Sequence, residues 1–407
     1  MKLTLKKTIA SILCISMIPS MMTGCKKEST SYSHTDFAMG TVTNITLYGT
    51  SDDLEQTEQK IIDMEKKLEK QQLSWRLTSS QVSKINQELK QNNGKTKVTG
   101  NLKNWLQQAI KISKDSYADG RNTVDPMIGA LTKLWDFESS NPKVPDASKI
   151  KKAISGDLSE NSQHVTVKDN GEILACDKNT KIDLGAYGKG IGTDEAIKMI
   201  KKDKEITGAM VALGGSIAVY GEKSDGSDWN VGIQDPNGKD GEVLGGVKVK
   251  SGTSISTSGD YEKTFTDKKT GKRYFHILDS KTGYSVKTDI RSCTIICDSG
   301  LNADGLSTAC FSLGVKKSQK LLKKYNLENW EAGRAWMPVA FTTVTFSEYI
   351  NASYWIEQRP ASTRHRLYLM TRLYITPSRA RPRADADDLP DLCCCSDGSS
   401  QCTPRWC

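Results

Sequence analysis

From residue 331 onward the chain contains no lysine, whereas the residues before it contain 44. Arginine moves the other way, with 4 up to Trp330 and 9 from Glu331 onward. Five of the 11 cysteines fall in the same final stretch, which ends PDLCCCSDGSSQCTPRWC. One evolved domain rarely changes its basic residue so abruptly, and RPASTRHRLYLMTRLYITPSRARPRADADD holds neither a helical nor a strand period. Residues 331–407 therefore read as a non-homologous tail, frameshifted, fused or disordered, with a genuine Cys-rich appendage as the alternative. An intact reading frame with related tails in relatives would overturn that reading. What remains is enough chain for one large domain or two closely packed lobes.

The other end is equally distinct. Lys2, Lys6 and Lys7 precede an apolar run from Ile9 to Met22, and Thr23-Gly24-Cys25 follows. This is the layout of a secretory signal over residues 1–24, and the run is short for a bilayer span. MMTGC also resembles a bacterial lipobox. That implies acylation of Cys25 and a lipid anchor on the extracytoplasmic face of the cell membrane. Residues 25–35 then read as a flexible tether and residues 36–330 as the working domain.

Within residues 25–330, 45 Lys plus Arg stand against 40 Asp plus Glu. The lysines are scattered over amphipathic segments such as 53–70 and 315–325. A nucleic-acid surface needs a concentrated basic stripe with base-reading groups, so no nucleic-acid partner is expected. Cys176, Cys293, Cys297 and Cys310 lie in or beside apolar runs and lack zinc-site spacing. Residues 41–48 alternate as a half-buried strand, and 54–70 and 102–117 carry apolar residues at helical spacing. Pro126 stands as at a helix N-terminus before MIGALTKLWDF. Strand-like runs follow at 164–167, 172–175, 210–213, 216–220, 229–234 and 246–249. Hairpins mixed with helices predict an α+β fold, not a doubly wound sheet.

Chemistry concentrates in a few polar, glycine-rich segments. In NADGLSTACFSLG (302–314) Asp304 and Thr308 fall on one helix face, where both oxygens can converge on a hard cation such as Mg²⁺. An Asp at a helix start can equally cap free N–H groups. KIDLGAYGKGIGTD (181–194) reads as a strand end passing through four glycines into a helix at Asp194–Lys201, with Lys189 offering positive charge to a phosphate. It is neither a P-loop nor a strict dinucleotide fingerprint. Leu213-Gly214-Gly215-Ser216 reads as a turn, Thr257–Glu262 clusters hydroxyls and acids, and His276 leads HILDSKTG.

The order FAMGT (37–41), LSWR (73–76), TVDPMIGALTKLW (123–135), IDLGAYGKG (182–190), ALGGS (212–216), STSGDYE (256–262), HILDSKTG (276–283) and ADGLSTACFSLG (303–314) resembles the ApbE family of FAD:protein FMN transferases over nearly all of residues 36–327. The resemblance implies a two-lobed α+β fold with mixed or antiparallel sheets and flanking helices. FAD would be the substrate, with Mg²⁺ on its pyrophosphate. The FMN half would pass to a Thr or Ser hydroxyl of an extracytoplasmic flavoprotein acceptor, releasing AMP. Carried over motif by motif, Met39 and Trp75 would flank the flavin, Thr123, Val124 and Asp125 would contact FAD, Asp183 and Lys189 would lie at the nucleotide, and Ile277 would lie beside the isoalloxazine or its phosphate arm. The metal ligands would be the Ala186 carbonyl, Asp304 and Thr308, with Ser307 as a further candidate. Either His276 or Asp304 could take the proton of the incoming hydroxyl. The sequence departs from the family at Val124 and Met127, where Phe and Thr are common, and after LLKKYNLE, where further strands usually complete the core. Two alternatives stand beside transfer: an FAD pyrophosphatase using water at the same site, and a non-catalytic flavin-binding lipoprotein.

Overall fold

The computed structural model describes residues 29–50, 53–154, 164–175, 177–239 and 241–327, together with the backbone of 339–343. In chain order the elements are strands β1 (Thr30–Ala38) and β2 (Thr41–Gly49), helices α1 (Leu54–Leu68) and α2 (Gln81–Gln91), strand β3 (Lys95–Lys97), and helices α3 (Asn101–Asp115), α4 (Gly129–Trp135) and α5 (Ala147–Ile154). Strands β4 (Thr166–Val167) and β5 (Glu172–Leu174), helix α6 (Gly188–Ile200), and strands β6 (Ile206–Leu213), β7 (Ser216–Gly221), β8 (Trp229–Gln234) and β9 (Val243–Val249) follow. The chain continues through β10 (Ser254–Gly259), β11 (Thr264–Thr266), β12 (Arg273–Phe275), β13 (Ile290–Cys297), α7 (Gly300–Leu313), α8 (Val315–Lys324) and β14 (Val339–Thr343).

The framework is a seven-stranded sheet in the order β1-β2-β6-β7-β10-β13-β14, each neighbouring pair antiparallel. Helices α1, α6 and α7 pack on it. The β8–β9 hairpin closes another apolar cluster, where Trp229, Val231 and Val249 meet Val219, Ile255 and Ile296. This is the α+β arrangement expected.

Helix α1 forms because Leu54, Ile61, Ile62 and Leu68 share one face. Asp53 caps its first turn through Gln56 N–H at 3.1 Å. Helix α7 is apolar nearly all round and buried accordingly. Its N-cap is Ser299, whose hydroxyl accepts from Asn302 N–H at 3.3 Å. Asp304 therefore sits a full turn inside the helix and does not cap it.

Three expectations need correction. Residues 30–35, read as tether, belong to β1, which pairs with β2 along its whole length. The strand is polar on both faces, so its pairing leaves no alternation to read. The glycine run 188–192 is already helical: α6 starts at Gly188, not Asp194. Gly190 is required by close packing, since a Cβ there would collide with the Gly300 carbonyl of α7. Finally, residues 339–343, inside the tail, form the edge strand beside β13. Cys25 and the signal lie outside the described residues.

Candidate active site

The site is built where the N-terminal turn of α6 meets α7 and the α7-facing side of β10. Asp304 is 1% exposed. Its Oδ2 accepts from Gly190 N–H at 3.0 Å and its Oδ1 from the Ser256 hydroxyl at 3.0 Å. Lys189 Nζ lies 3.4 Å from the same Oδ1. Because Ser256 donates to the carboxylate, Ser216, 2.8 Å away on β7, donates in turn to Ser256. Burial opposes the charge of Lys189, but the carboxylates of Asp304 and Glu262 outweigh it and hold the ammonium above the usual lysine range.

One turn further along α7, the hydroxyls of Ser307 and Thr308 approach the Asp304 carbonyl, at 2.9 and 3.3 Å. Ser258, two residues beyond Ser256 on the same face of β10, lies 2.8 Å from Ser307 Oγ and 3.0 Å from Thr308 Oγ1. These contacts outnumber the protons available. Three hydroxyl protons serve four contacts, so one contact, the longest being Thr308 to the carbonyl, goes without a proton. Such a cluster of oxygens suits a cation. The Ala186 carbonyl, ahead of α6, accepts no backbone hydrogen bond among the described residues.

Two helix ends are held together to make this junction. Asp194 on α6 accepts from Gly300 N–H at 2.7 Å and Leu301 N–H at 3.1 Å, fixing the start of α7. Burial lifts the Asp194 carboxyl above its usual range despite those donors. Met39 takes a left-handed backbone at the β1–β2 turn, φ +51°. Its sulfur lies so close to α6 that a Cβ on Gly192 would come within 2.8 Å of it.

His276 stands beyond Lys189. Its Nδ1 is 3.2 Å from the Glu262 carbonyl, which can only accept, so Nδ1 carries the proton and Nε2 keeps a free lone pair. Burial, then the charges of Lys263 and Lys189, push its pKa down to about 3. Its loop is braced by Trp135, whose Nε1 donates to the Gly283 carbonyl at 2.8 Å. Trp75 is half-buried against the core beneath the Arg76 guanidinium, 4.1 Å from its ring centroid. Arg76 reaches Glu138 at 3.1 Å.

Asp183 is buried, accepts from Gly185 N–H at 2.8 Å, and is raised above the usual carboxylate range by burial. Its backbone N–H donates to the Pro126 carbonyl at 2.8 Å, joining the TVDP stretch to the glycine segment. In that stretch Thr123 donates to the Ser116 carbonyl, Asp125 accepts from Met127 N–H and Asn122, and Val124 is in the core. Their side chains shape the loop from within. Ile277 is buried in the same core cluster.

Residues 39–331 match the ApbE family. The chain belongs to that family. An ApbE relative named FAD:protein FMN transferase in Treponema pallidum is 34% identical over 212 residues, 49% of this chain and 58% of the relative. One of the same name in Haemophilus influenzae is 26% identical across 79% of this chain and 92% of its own length. The solved ApbE protein of Thermotoga maritima superposes with a TM-score of 0.63 at 29% identity, over 73% of this chain and 91% of that one.

The motif order thus brings together Asp304, Ser307, Thr308 and Lys189, with Met39 against α6 and His276 linked through Glu262. It gave no role to Ser256, Ser258, Glu262 or Asp194. The signal for Ser256 and Ser258 was available in the alternation of SISTSG, which puts both hydroxyls on one strand face.

Proposed function

We propose that this chain transfers FMN from FAD to a Thr or Ser hydroxyl of an extracytoplasmic acceptor protein, releasing AMP, with one Mg²⁺ held at the α6–α7 junction. Flavinyl transfer as an FAD:protein FMN transferase is the activity its ApbE membership gives. The finer reading is carried by one observation: a buried carboxylate, Asp304, flanked by a lysine ammonium and by the clustered hydroxyls of Ser258, Ser307 and Thr308.

The donor set fits Mg²⁺. Every candidate ligand is an oxygen, from Asp304, Thr308, Ser307 and the Ala186 carbonyl, and a single carboxylate leaves positions for water and substrate phosphate. Bound there, the ion would neutralise charge developing on the phosphates. The chain's own groups supply the rest. Lys189 binds the diphosphate, and Met39 and Trp75 flank the flavin. The acceptor oxygen forms a bond to the FMN phosphorus as the bond to the bridging oxygen breaks, and AMP leaves with that oxygen. The hydroxyl proton passes to a neighbouring acceptor. The Asp304 oxygens already accept from Gly190 and Ser256, which leaves neutral His276; burial makes it a weak base, so the proton moves onto Nε2 only as the substrate phosphates supply the negative charge that steadies the imidazolium.

The lipobox-like MMTGC supports an address on the outer face of the membrane through Cys25. The test is to incubate the full chain with FAD, Mg²⁺ and an FMN-accepting flavoprotein domain. The expected result is acceptor mass increased by one FMN, with AMP released in equal amount and both lost on adding chelator. Free FMN with unmodified acceptor would establish the pyrophosphatase instead, and FAD retained intact would establish a flavin carrier.

A further inference from the structure

Lys189 and a divalent cation want the same atom. The ammonium lies 3.4 Å from Asp304 Oδ1, while Oδ2 is taken by Gly190 N–H. Asp304 is buried, so water cannot dilute the interaction, and Glu262 adds a second negative charge on the lysine. Two cations cannot share one buried carboxylate without strong repulsion. The lysine side chain is 26% exposed, so packing does not lock it against Asp304.

We infer that Lys189 is a built-in counter-ion that holds Asp304 until the flavin dinucleotide arrives, so that FAD and the divalent cation bind with positive coupling. The inference rests on the reading of the α6–α7 junction as the FAD and metal site. Before FAD binds, the ammonium neutralises Asp304 and opposes metal entry. The diphosphate of FAD offers the same ammonium a second anionic partner. Drawing it away leaves Asp304 without its positive charge, and the affinity for a divalent cation rises. By linkage the cation strengthens FAD binding by the same factor. The arrangement keeps the site from loading metal without substrate.

The test uses the full chain and Mn²⁺, followed by the electron paramagnetic resonance of the free ion, with and without FAD. Without FAD, Lys189→Met and Lys189→Gln are expected to bind Mn²⁺ about tenfold more tightly than the unaltered chain, and the tightening caused by FAD should shrink correspondingly. Lys189→Arg keeps the charge and should behave as the unaltered chain does. Equal or weaker Mn²⁺ affinity in both neutral variants overturns the inference. Asp304→Asn separates the two levels. If it abolishes Mn²⁺ binding while the lysine variants show no gain, the site stands and the counter-ion role falls. If Mn²⁺ still binds, the site itself is wrong, and the inference falls with it.

Discussion

Two helices on the same sheet each bury a carboxyl group, and the two groups live in opposite surroundings. Asp304 on α7 receives Gly190 N–H, the Ser256 hydroxyl and the Lys189 ammonium. Glu65 on α1 is 0% exposed, and among the described residues neither of its oxygens has a hydrogen-bond partner. Its neighbours are the carboxylates of Glu58 and Asp36, and burial followed by their repulsion pushes its pKa up to about 8. Burial alone therefore does not mark a working carboxylate. Donors arranged around it do, and the donors around Asp304 come from a helix end and a strand far away in the chain.

The strongest way to break this comparison is at Asp304. Asp304→Asn keeps the side-chain shape and an acceptor for Gly190 N–H, but removes the charge and turns an NH2 donor toward Ser256. Transfer of FMN should fall by about 10³-fold or more, with an unchanged far-ultraviolet circular dichroism spectrum. Near-normal labelling of the acceptor, read by intact mass, would remove Asp304 from the mechanism.

How much of this contrast was legible depended on sequence distance. Local periodicity revealed α1, α3 and the strands β2, β6 and β7, because apolar spacing repeats within a few turns or pleats. It showed Asp304 and Thr308 on one face for the same reason. The pairing of Gly190 with Asp304 spans 114 residues, and that of Ser256 with Asp304 spans 48. Nothing local announces either. The stretch STSG begins the cluster of hydroxyls and acids, yet it lies mid-sheet, with Ser256 buried where Asp304 of α7 accepts its proton and Ser258 half-buried beside Ser307 and Thr308. Glu58 and Glu65 lie on the amphipathic segment 53–70 among its scattered charges, although both point inward. Sequence pattern assigns a charged residue to solvent by default, and only tertiary contacts overrule it. Cys25 was legible as a motif and belongs to a segment whose structure is not described.

The next effect lies at Glu65. Its folded pKa of about 8 stands above its ordinary 4.5, so the native state holds more protons than the unfolded chain between those values. Stability contributed by this group is therefore complete below about pH 4.5, falls as pH rises toward about 8 and levels off above. Glu65→Leu removes the desolvated group and keeps the packing with Ile61 and Ile62. It should stabilise the chain by about 1–3 kcal/mol at pH 8, with little gain at pH 4.5. Thermal unfolding across that range measures it. A pH-independent gain would mean that Glu65 is not titrating, and a loss would mean that an unseen partner satisfies it.

The smallest effect tests whether the donors around Asp304 act as a set. Ser256→Ala removes one of them and leaves the Ser216 proton without its acceptor. Denaturant unfolding should show a loss of about 1–2 kcal/mol, the usual worth of a buried hydrogen bond to a charged group. In the Asp304→Ala background Ser256 has no carboxylate to serve, so the same substitution should cost less than half as much, a difference that measures their coupling. Equal losses in the two backgrounds would show that Ser256 packs beside Asp304 without holding it. The distinction between the two buried carboxyls would then reduce to Lys189 and Gly190 alone.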